Sequence, residues 1–150
     1  MAMIRRMQLA DVKSVAKIEN EAFPRPWSQN AFITQLAKSS SICLVAEIDG
    51  GVVGYLIATQ YVEVWHLLDL AVHVRYRRHY VATELLENFF ELTGRDQHRG
   101  YTLEVRKSNR GAIKMYESFG FICTGLRKGY YSDNAEDALI MWKDSEDMLA

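Results

Sequence analysis

Cysteine is scarce in this chain, with two in 150 residues. Cys43 and Cys123 each lie inside an apolar, strand-like run, and their separation does not match the spacing of metal ligands. We therefore expect two reduced thiols in the core rather than a disulfide or a nucleophile. No metal is expected.

Long apolar runs are also missing. No stretch approaches the length of about 20 residues that a membrane-spanning helix needs. The N-terminal residues lead into Gln8 and Asp11 rather than into the apolar core of a signal peptide. We expect a cytoplasmic protein that has no membrane partner.

A strong charge of either sign is absent as well. Eighteen lysines and arginines against 19 acidic residues give a net charge of −1. This balance argues against broad nucleic-acid binding, although positive charge is concentrated between Arg75 and His79. We expect a monomer that makes no direct contact with nucleic acid.

The hydrophobic pattern predicts alternating strands and helices without repeats or linkers. A composition that is 49% hydrophobic supports one core, so we expect a single domain over residues 1–150. Such alternation is typical of a three-layer α/β domain with a mixed sheet. Strands are predicted at 3–8, 42–48, 52–61, 64–74, 101–105, about 121–130 and about 136–142, and helices at 12–22, 28–36, 81–94 and 109–120. Asp49-Gly50-Gly51 predicts a tight hairpin.

Residues 101–121 place a carboxylate, an amide and a phenol around one strand-to-helix turn. Glu104 falls near the end of the predicted strand, Asn109 opens the helix, and Tyr116 lies two turns along it. This order supplies a candidate base, a candidate positioning group and a candidate acid.

The segment 104–121 resembles the second signature segment of the GNAT superfamily of N-acetyltransferases, and within it the ribosomal-protein-alanine N-acetyltransferases. The resemblance extends to residues 23–28, 66–72, 129–131 and 136–141, and so covers nearly the whole chain. It implies one αβα acetyltransferase domain whose central sheet splays beside the fourth strand. It also implies acetyl-CoA as cosubstrate and a protein N-terminus as acceptor, with the N-terminal alanine of a small-subunit ribosomal protein as the expected target.

The resemblance places Glu104 at the general base position and Tyr116 at the general acid position. A protein α-amine has a pKa of about 7.7–8.0, so much of it must lose a proton before it can attack. A partly desolvated carboxylate would be the better base. The alternatives are a salt-bridged Glu104, paired with Arg106 or Lys107, and a Tyr116 that is only a core aromatic.

For acetyl-CoA, the resemblance implies backbone contacts from the fourth strand, the start of the third helix and an amide at Asn109. The residues concerned are Leu70, Ala71, Val72, Arg77, Arg78, His79, Tyr80, Val81, Ala82 and Thr83. The alternatives are that the fourth strand is an ordinary buried strand, that the start of the third helix is a solvated basic turn, and that Asn109 is only an N-cap.

The start of the third helix departs from the family pattern Gln/Arg-x-x-Gly-x-Gly/Ala. Tyr80 replaces the first glycine, and Arg78 stands where many relatives have another. Tyr80 is compatible with the site if its backbone is right-handed helix and its ring points away from the phosphates. Otherwise cofactor binding is weakened. We expect binding to be retained, with the arginines contributing.

For the acceptor, the resemblance points to Trp27 and to the terminal hairpin with Tyr130 and Tyr131. Carboxylates of that hairpin suit an extended, basic peptide, namely Asp133, Glu136 and Asp137. The alternatives are that Trp27 is a hydrophobic plug and that the acidic residues form a solvated turn. His66, Asp69 and His73 are expected to be structural.

Two rival functions remain at this point. One is an acetyltransferase of the same fold that modifies lysine side chains or small amines. The other is a catalytically silent module that binds acyl-CoA or a partner protein.

Overall fold

A computed structural model describes residues 1–145. Seven strands are formed: β1 (Met3–Arg6), β2 (Ser41–Ile48), β3 (Gly51–Tyr61), β4 (Val64–Val72), β5 (Gly100–Arg106), β6 (Ile122–Arg127) and β7 (Ala138–Asp144). Four α-helices accompany them: α1 (Val12–Ala22), α2 (Gln29–Leu36), α3 (Val81–Thr93) and α4 (Arg110–Ser118).

The strands form one mixed sheet in the order β1-β2-β3-β4-β5-β7-β6. β4 runs parallel to β5, whereas the pairs β1–β2, β2–β3, β5–β7 and β6–β7 are antiparallel. The register of β4 with β5 joins Val64–His66 to Gly100–Thr102 and so covers only the first part of β4. The predicted α/β class with a mixed, splayed sheet is confirmed.

Residue contacts divide the chain into two compact units. The first contains residues 1–60 and 68–95, and the second contains residues 61–67 and the described residues from Asp96 onward. A single domain over residues 1–150 stays a prediction, and its residues 146–150 lie outside the described part.

The first unit has helices on both faces of its strands. Side chains from β2 and β3 that include Val45, Tyr55 and Ile57 pack with α1 and α2 in one buried cluster. On the opposite face Gly54 lets α3 approach, because a Cβ there would meet the Ala71 carbonyl oxygen at 3.1 Å and Val81 Cγ1 at 3.2 Å. The predicted hairpin is confirmed, since Asp49 and Gly50 both have positive φ.

Several strand ends differ from the predicted ones. β1 ends at Arg6, β6 covers only 122–127, and β7 is shifted to 138–144. β4 ends at Val72 rather than Val74 because the chain then enters a 3₁₀ turn at Val74–Tyr76. His73 stabilises that turn, since its Nδ1 accepts from the Arg75 N–H at 3.1 Å.

The two cysteines do not share one environment. Cys43 is buried, and burial raises the pKa of its thiol to about 11. The expectation of a core thiol is wrong for Cys123, which is exposed. It lies on β6, the last strand of the sheet, most of whose residues face solvent.

Within residues 1–145, no helix is long and apolar enough to cross a membrane. In the same range, no group of three or more His, Cys, Asp or Glu side chains is arranged to hold a metal ion.

Candidate active site

Glu104 lies in the second unit on β5, with a side chain that is 30% exposed. Its carboxylate contacts Arg127 at 3.8 Å and is hydrogen-bonded to Tyr130. That hydrogen bond is the main reason why the pKa of Tyr130 is raised. Burial lowers the pKa of His66 on β4, and the negative charge of Glu104 partly opposes this shift. The alternative of a salt-bridged Glu104 named Arg106 or Lys107 as the partner, whereas the structure pairs Glu104 with Arg127.

Arg106, two residues further along β5, organises the β6–β7 loop. Its guanidinium donates to Asp133 Oδ1 at 2.9 Å and to Glu136 Oε1 at 3.3 Å, and it lies 4.0 Å from the centre of the Tyr131 ring. Glu136 also accepts the Ser108 N–H at 2.8 Å. Arg106 thus pairs with both carboxylates, and its single positive charge offsets one of their two negative charges. A role of this hairpin in binding a basic peptide stays a prediction.

Tyr130 and Tyr131 lie together at the base of this loop. Their rings meet edge to face with centroids 5.1 Å apart, and the Arg127 guanidinium lies 5.3 Å from the Tyr130 ring. Tyr130 is exposed and Tyr131 is half-buried. Burial raises the pKa of Tyr131, while Arg106 opposes that shift. Both phenols therefore stay protonated and can donate at neutral pH.

Helix α4 carries the other two candidate residues of this unit. Asn109 is the N-cap, with its Oδ1 accepting the Ala112 N–H at 3.2 Å. Tyr116 is 7% exposed, and its ring packs edge to face against Phe121 at 5.6 Å. The capping and core roles considered for these residues are confirmed. Roles in cofactor binding and acid catalysis stay predictions.

The start of α3, in the first unit, has an unusual backbone. Arg78 and Tyr80 both have positive φ, at 67° and 62°. The right-handed geometry set as a condition for Tyr80 is therefore not met: Tyr80 is a left-handed N-cap without a side-chain capping bond. Retained cofactor binding stays a prediction. Its ring is 77% exposed. Two non-glycine residues thus have a backbone conformation that glycine adopts most readily.

We predict that Tyr80→Gly stabilises the protein. A non-glycine residue in the left-handed region costs about 1–2 kcal/mol, and the exposed ring loses little packing. The melting temperature should rise by about 2–4 °C per kcal/mol gained. Thermal unfolding measures this. His79→Gly is the control, because His79 is not among the residues with positive φ. A fall in melting temperature on Tyr80→Gly would contradict the prediction.

The end of β4 lies beside a cavity of about 290 Å³ within the first unit. Its lining includes Ile18 and Ala22 of α1 and the segment Val72–Val74. Ala71 is buried, whereas Leu70 and Val72 are half-buried. Arg77 also lines the cavity, and its Nε donates to the Val72 carbonyl oxygen at 3.2 Å. The remaining residues of the α3 start lie beyond Arg77: exposed His79, buried Val81, and half-buried Ala82 and Thr83.

Trp27 belongs to the loop between α1 and α2. Its ring is tilted against Phe32 with centroids 5.1 Å apart, so it packs onto the core as the plug alternative proposed. Its backbone N–H donates to Glu19 Oε2 at 3.0 Å. The buried carboxylate of Glu19 therefore holds the loop in place.

Sequence reasoning missed several of these partners. It did not place Arg127 beside Glu104, and it did not single out Glu19. Glu19 follows Val15 by four residues and so falls on the buried face of α1, a position where a carboxylate is unexpected. A carboxylate on an otherwise apolar helix face was the sequence signal that could have identified Glu19.

Comparison with known proteins gives one answer. Residues 12–121 match the Acetyltransferase (GNAT) family. A Bacillus subtilis protein, whose own naming as a [ribosomal protein bS18]-alanine N-acetyltransferase is provisional, is 36% identical over 94% of each chain. An N-alpha-acetyltransferase of Sulfurisphaera tokodaii is 32% identical over 92% of this chain and 90% of its own. The crystal structure of the ribosomal-protein-S18-alanine N-acetyltransferase from Escherichia coli superimposes with a TM-score of 0.89 at 28% identity, covering 97% of this chain and 94% of the other.

Proposed function

Since the chain belongs to the acetyltransferase (GNAT) family, we propose that it transfers the acetyl group of acetyl-CoA to the α-amine of a protein N-terminus. The proposed acceptor is the N-terminal alanine of a small-subunit ribosomal protein, as the names of the Bacillus subtilis and Escherichia coli relatives suggest. The observation that carries the proposal is the part-exposed Glu104 carboxylate, held between Arg127 and the Tyr130 hydroxyl.

The α3 start fits the diphosphate of acetyl-CoA. Backbone N–H groups of a first helical turn are unsatisfied unless something caps them, and Tyr80 supplies no side-chain cap. An anion is favoured there by the helix dipole, and the adjacent Arg77, Arg78 and His79 can add positive charge. The exposed ring of Tyr80 supports this role, because a ring directed into solvent leaves the N–H groups accessible.

The proposed chemistry uses two residues of the second unit. Acetyl-CoA supplies the acetyl thioester and a thiolate leaving group. Glu104 accepts a proton from the incoming ammonium, directly or through a water, so that the neutral amine attacks without a covalent enzyme intermediate. Tyr116 donates a proton to the departing sulfur. Tyr130 and Tyr131 donate hydrogen bonds to the acceptor backbone beside Glu104.

Three peptides test the acceptor class. One starts with the alanine-led N-terminus of a small-subunit ribosomal protein, the second is the same peptide with a blocked α-amine, and the third has the α-amine blocked but an internal lysine added. We expect acetylation of the first alone, measured by mass spectrometry. Activity on the third would favour the lysine acetyltransferase. If folded protein shows no acetyl-CoA binding at millimolar concentration in calorimetry, the silent module is favoured instead.

We further propose that residues 1–150 act as one domain and as a monomer in the cytoplasm, without nucleic-acid or membrane partners. Analytical ultracentrifugation tests the monomer, with a dimer mass as the contradicting result.

A further inference from the structure

Two carboxyl groups lie buried in the first unit, and neither takes part in the chemistry proposed above. Glu19 on α1 is 2% exposed and Asp69 on β4 is 8% exposed. The two side chains are within hydrogen-bonding reach of each other. Two ionised carboxylates in contact inside an apolar core would repel strongly, so one proton must be shared between them.

The donors around the pair show which carboxyl holds the proton. Glu19 accepts the Tyr55 hydroxyl at Oε1 and the Trp27 backbone N–H at Oε2. Both oxygens of Glu19 thus already accept a hydrogen bond. Asp69 Oδ2, in contrast, is buried and accepts no hydrogen bond from a donor group of the described residues, as expected for an oxygen that carries a proton and donates it. The Leu70 N–H also donates to the Asp69 carboxyl.

The groups packed around the pair do not compensate a second negative charge. Tyr55 and Cys43 are the titratable members of the buried hydrophobic cluster to which α1, α2, β2 and β3 contribute. Burial raises the pKa of Tyr55, and it raises the pKa of Cys43 to about 11, so both groups stay protonated. The positive charge of Arg6 partly opposes the rise in the pKa of the Cys43 thiol. Burial, together with Glu19, raises the pKa of Asp69 to about 9.

We propose that the shared proton of Glu19 and Asp69 is a positioning device that holds the Trp27 loop (residues 23–28) against the core. Loss of the proton places a second charge beside Glu19, and the repulsion weakens the hydrogen bonds that Glu19 accepts from Trp27 and Tyr55. The link to acceptor binding rests on the proposed function and on the acceptor role that the sequence resemblance implies for Trp27.

Two variants and one control separate the roles of the pair. Asp69→Asn keeps a donor for Glu19 but cannot ionise. Glu19→Gln leaves one acceptor oxygen for two donors. Glu87→Gln removes a charge of the same sign from an exposed position of α3 and serves as the control.

Peptide kinetics from pH 7 to 10 give the first readout. We expect the wild-type KM for the peptide to rise about tenfold once the pH exceeds the pKa of Asp69 by one unit. In Asp69→Asn the KM should stay nearly flat, and in Glu19→Gln it should be raised at every pH. The KM for acetyl-CoA should change little in all of them. A wild-type KM that rises equally in Asp69→Asn, or an unchanged peptide KM in folded Glu19→Gln, overturns the proposal.

The NMR signal of the Trp27 backbone amide gives a readout that needs no activity. It should titrate near pH 9 in the wild type and in Glu87→Gln, and not in Asp69→Asn. A Trp27 amide that titrates identically in Asp69→Asn overturns the proposal. If no peptide is acetylated while the amide titrates as expected, the proposed function fails and the shared proton stands.

Thermal unfolding should show the same linkage. The folded protein keeps the Asp69 proton until about pH 9, whereas an unfolded chain loses it near the ordinary value of 3.8. Folding therefore binds a proton throughout this window, and stability falls as the pH rises through it. We expect the melting temperature of Asp69→Asn, measured relative to that of the wild type, to rise steadily between pH 5 and 9. A constant difference would contradict a titrating pair.

Discussion

Glu104→Gln should lower turnover by about 10²–10⁴-fold at pH 7 while leaving acetyl-CoA affinity nearly intact. Glutamine has almost the same shape but cannot take up the proton of the incoming ammonium. It can still accept the Tyr130 hydroxyl, so the contacts around residue 104 are largely kept. Steady-state kinetics with an alanine-led peptide, together with calorimetric titration of acetyl-CoA, measures both quantities.

The pH dependence separates a base from a residue that only positions. The acceptor amine has a pKa of about 7.7–8.0, so above this range most of it arrives deprotonated and the deficit of Glu104→Gln should shrink. The ratio of wild type to variant is the useful quantity, because a titrating Glu19–Asp69 pair affects both proteins equally. Glu117→Gln, at an exposed position of α4, is the matched control and should keep full turnover. A ratio that stays constant up to about pH 9.5 would count against a base role.

The sequence was most informative where periodicity and turn chemistry act locally. The order of elements, the Asp49-Gly50 hairpin and the caps at Ser28 and Asn109 all follow from short-range patterns, and each is present in the structure. The same patterns overestimated β4, because His73 reads as a strand residue but starts a 3₁₀ turn through its side chain.

Tyr80 shows how a family pattern can be right about geometry and misleading about residue type. Glycine adopts a left-handed backbone readily, whereas tyrosine at this position was compatible with the site only if its backbone was right-handed helix. The structure keeps the left-handed backbone instead, with φ at 62°. Packing of the next residue, buried Val81, beside Gly54 fixes the position of the α3 start. Local steric preference is therefore overridden by tertiary contacts.

Long-range polar pairing could not be predicted from one sequence. Arg106 reaches Asp133 and Glu136 across a separation of 27 and 30 residues. Tyr55 reaches Glu19 across 36 residues. Neither separation along the chain leaves a periodic signal, so these pairings could not be predicted from the sequence. The positions of Glu104 and Tyr116 on β5 and α4 were predictable because they lie within one local segment.

Tyr116→Phe should lower turnover by about 10²-fold if Tyr116 is the general acid, because the change removes the hydroxyl that would donate a proton to the departing sulfur. The domain should stay folded, because loss of one hydroxyl from a buried ring typically costs about 1–2 kcal/mol. Tyr101→Phe is the matched control, because Tyr101 is also a buried phenol of the second unit.

The pair of variants distinguishes chemistry from packing. Both should lose similar stability in thermal unfolding, and both should bind acetyl-CoA like the wild type in calorimetry. Only Tyr116→Phe should lose turnover, because a defect caused by packing alone would be shared by Tyr101→Phe. Full activity in a folded, cofactor-binding Tyr116→Phe would remove Tyr116 from the mechanism. The departing thiolate would then have to take its proton from another donor.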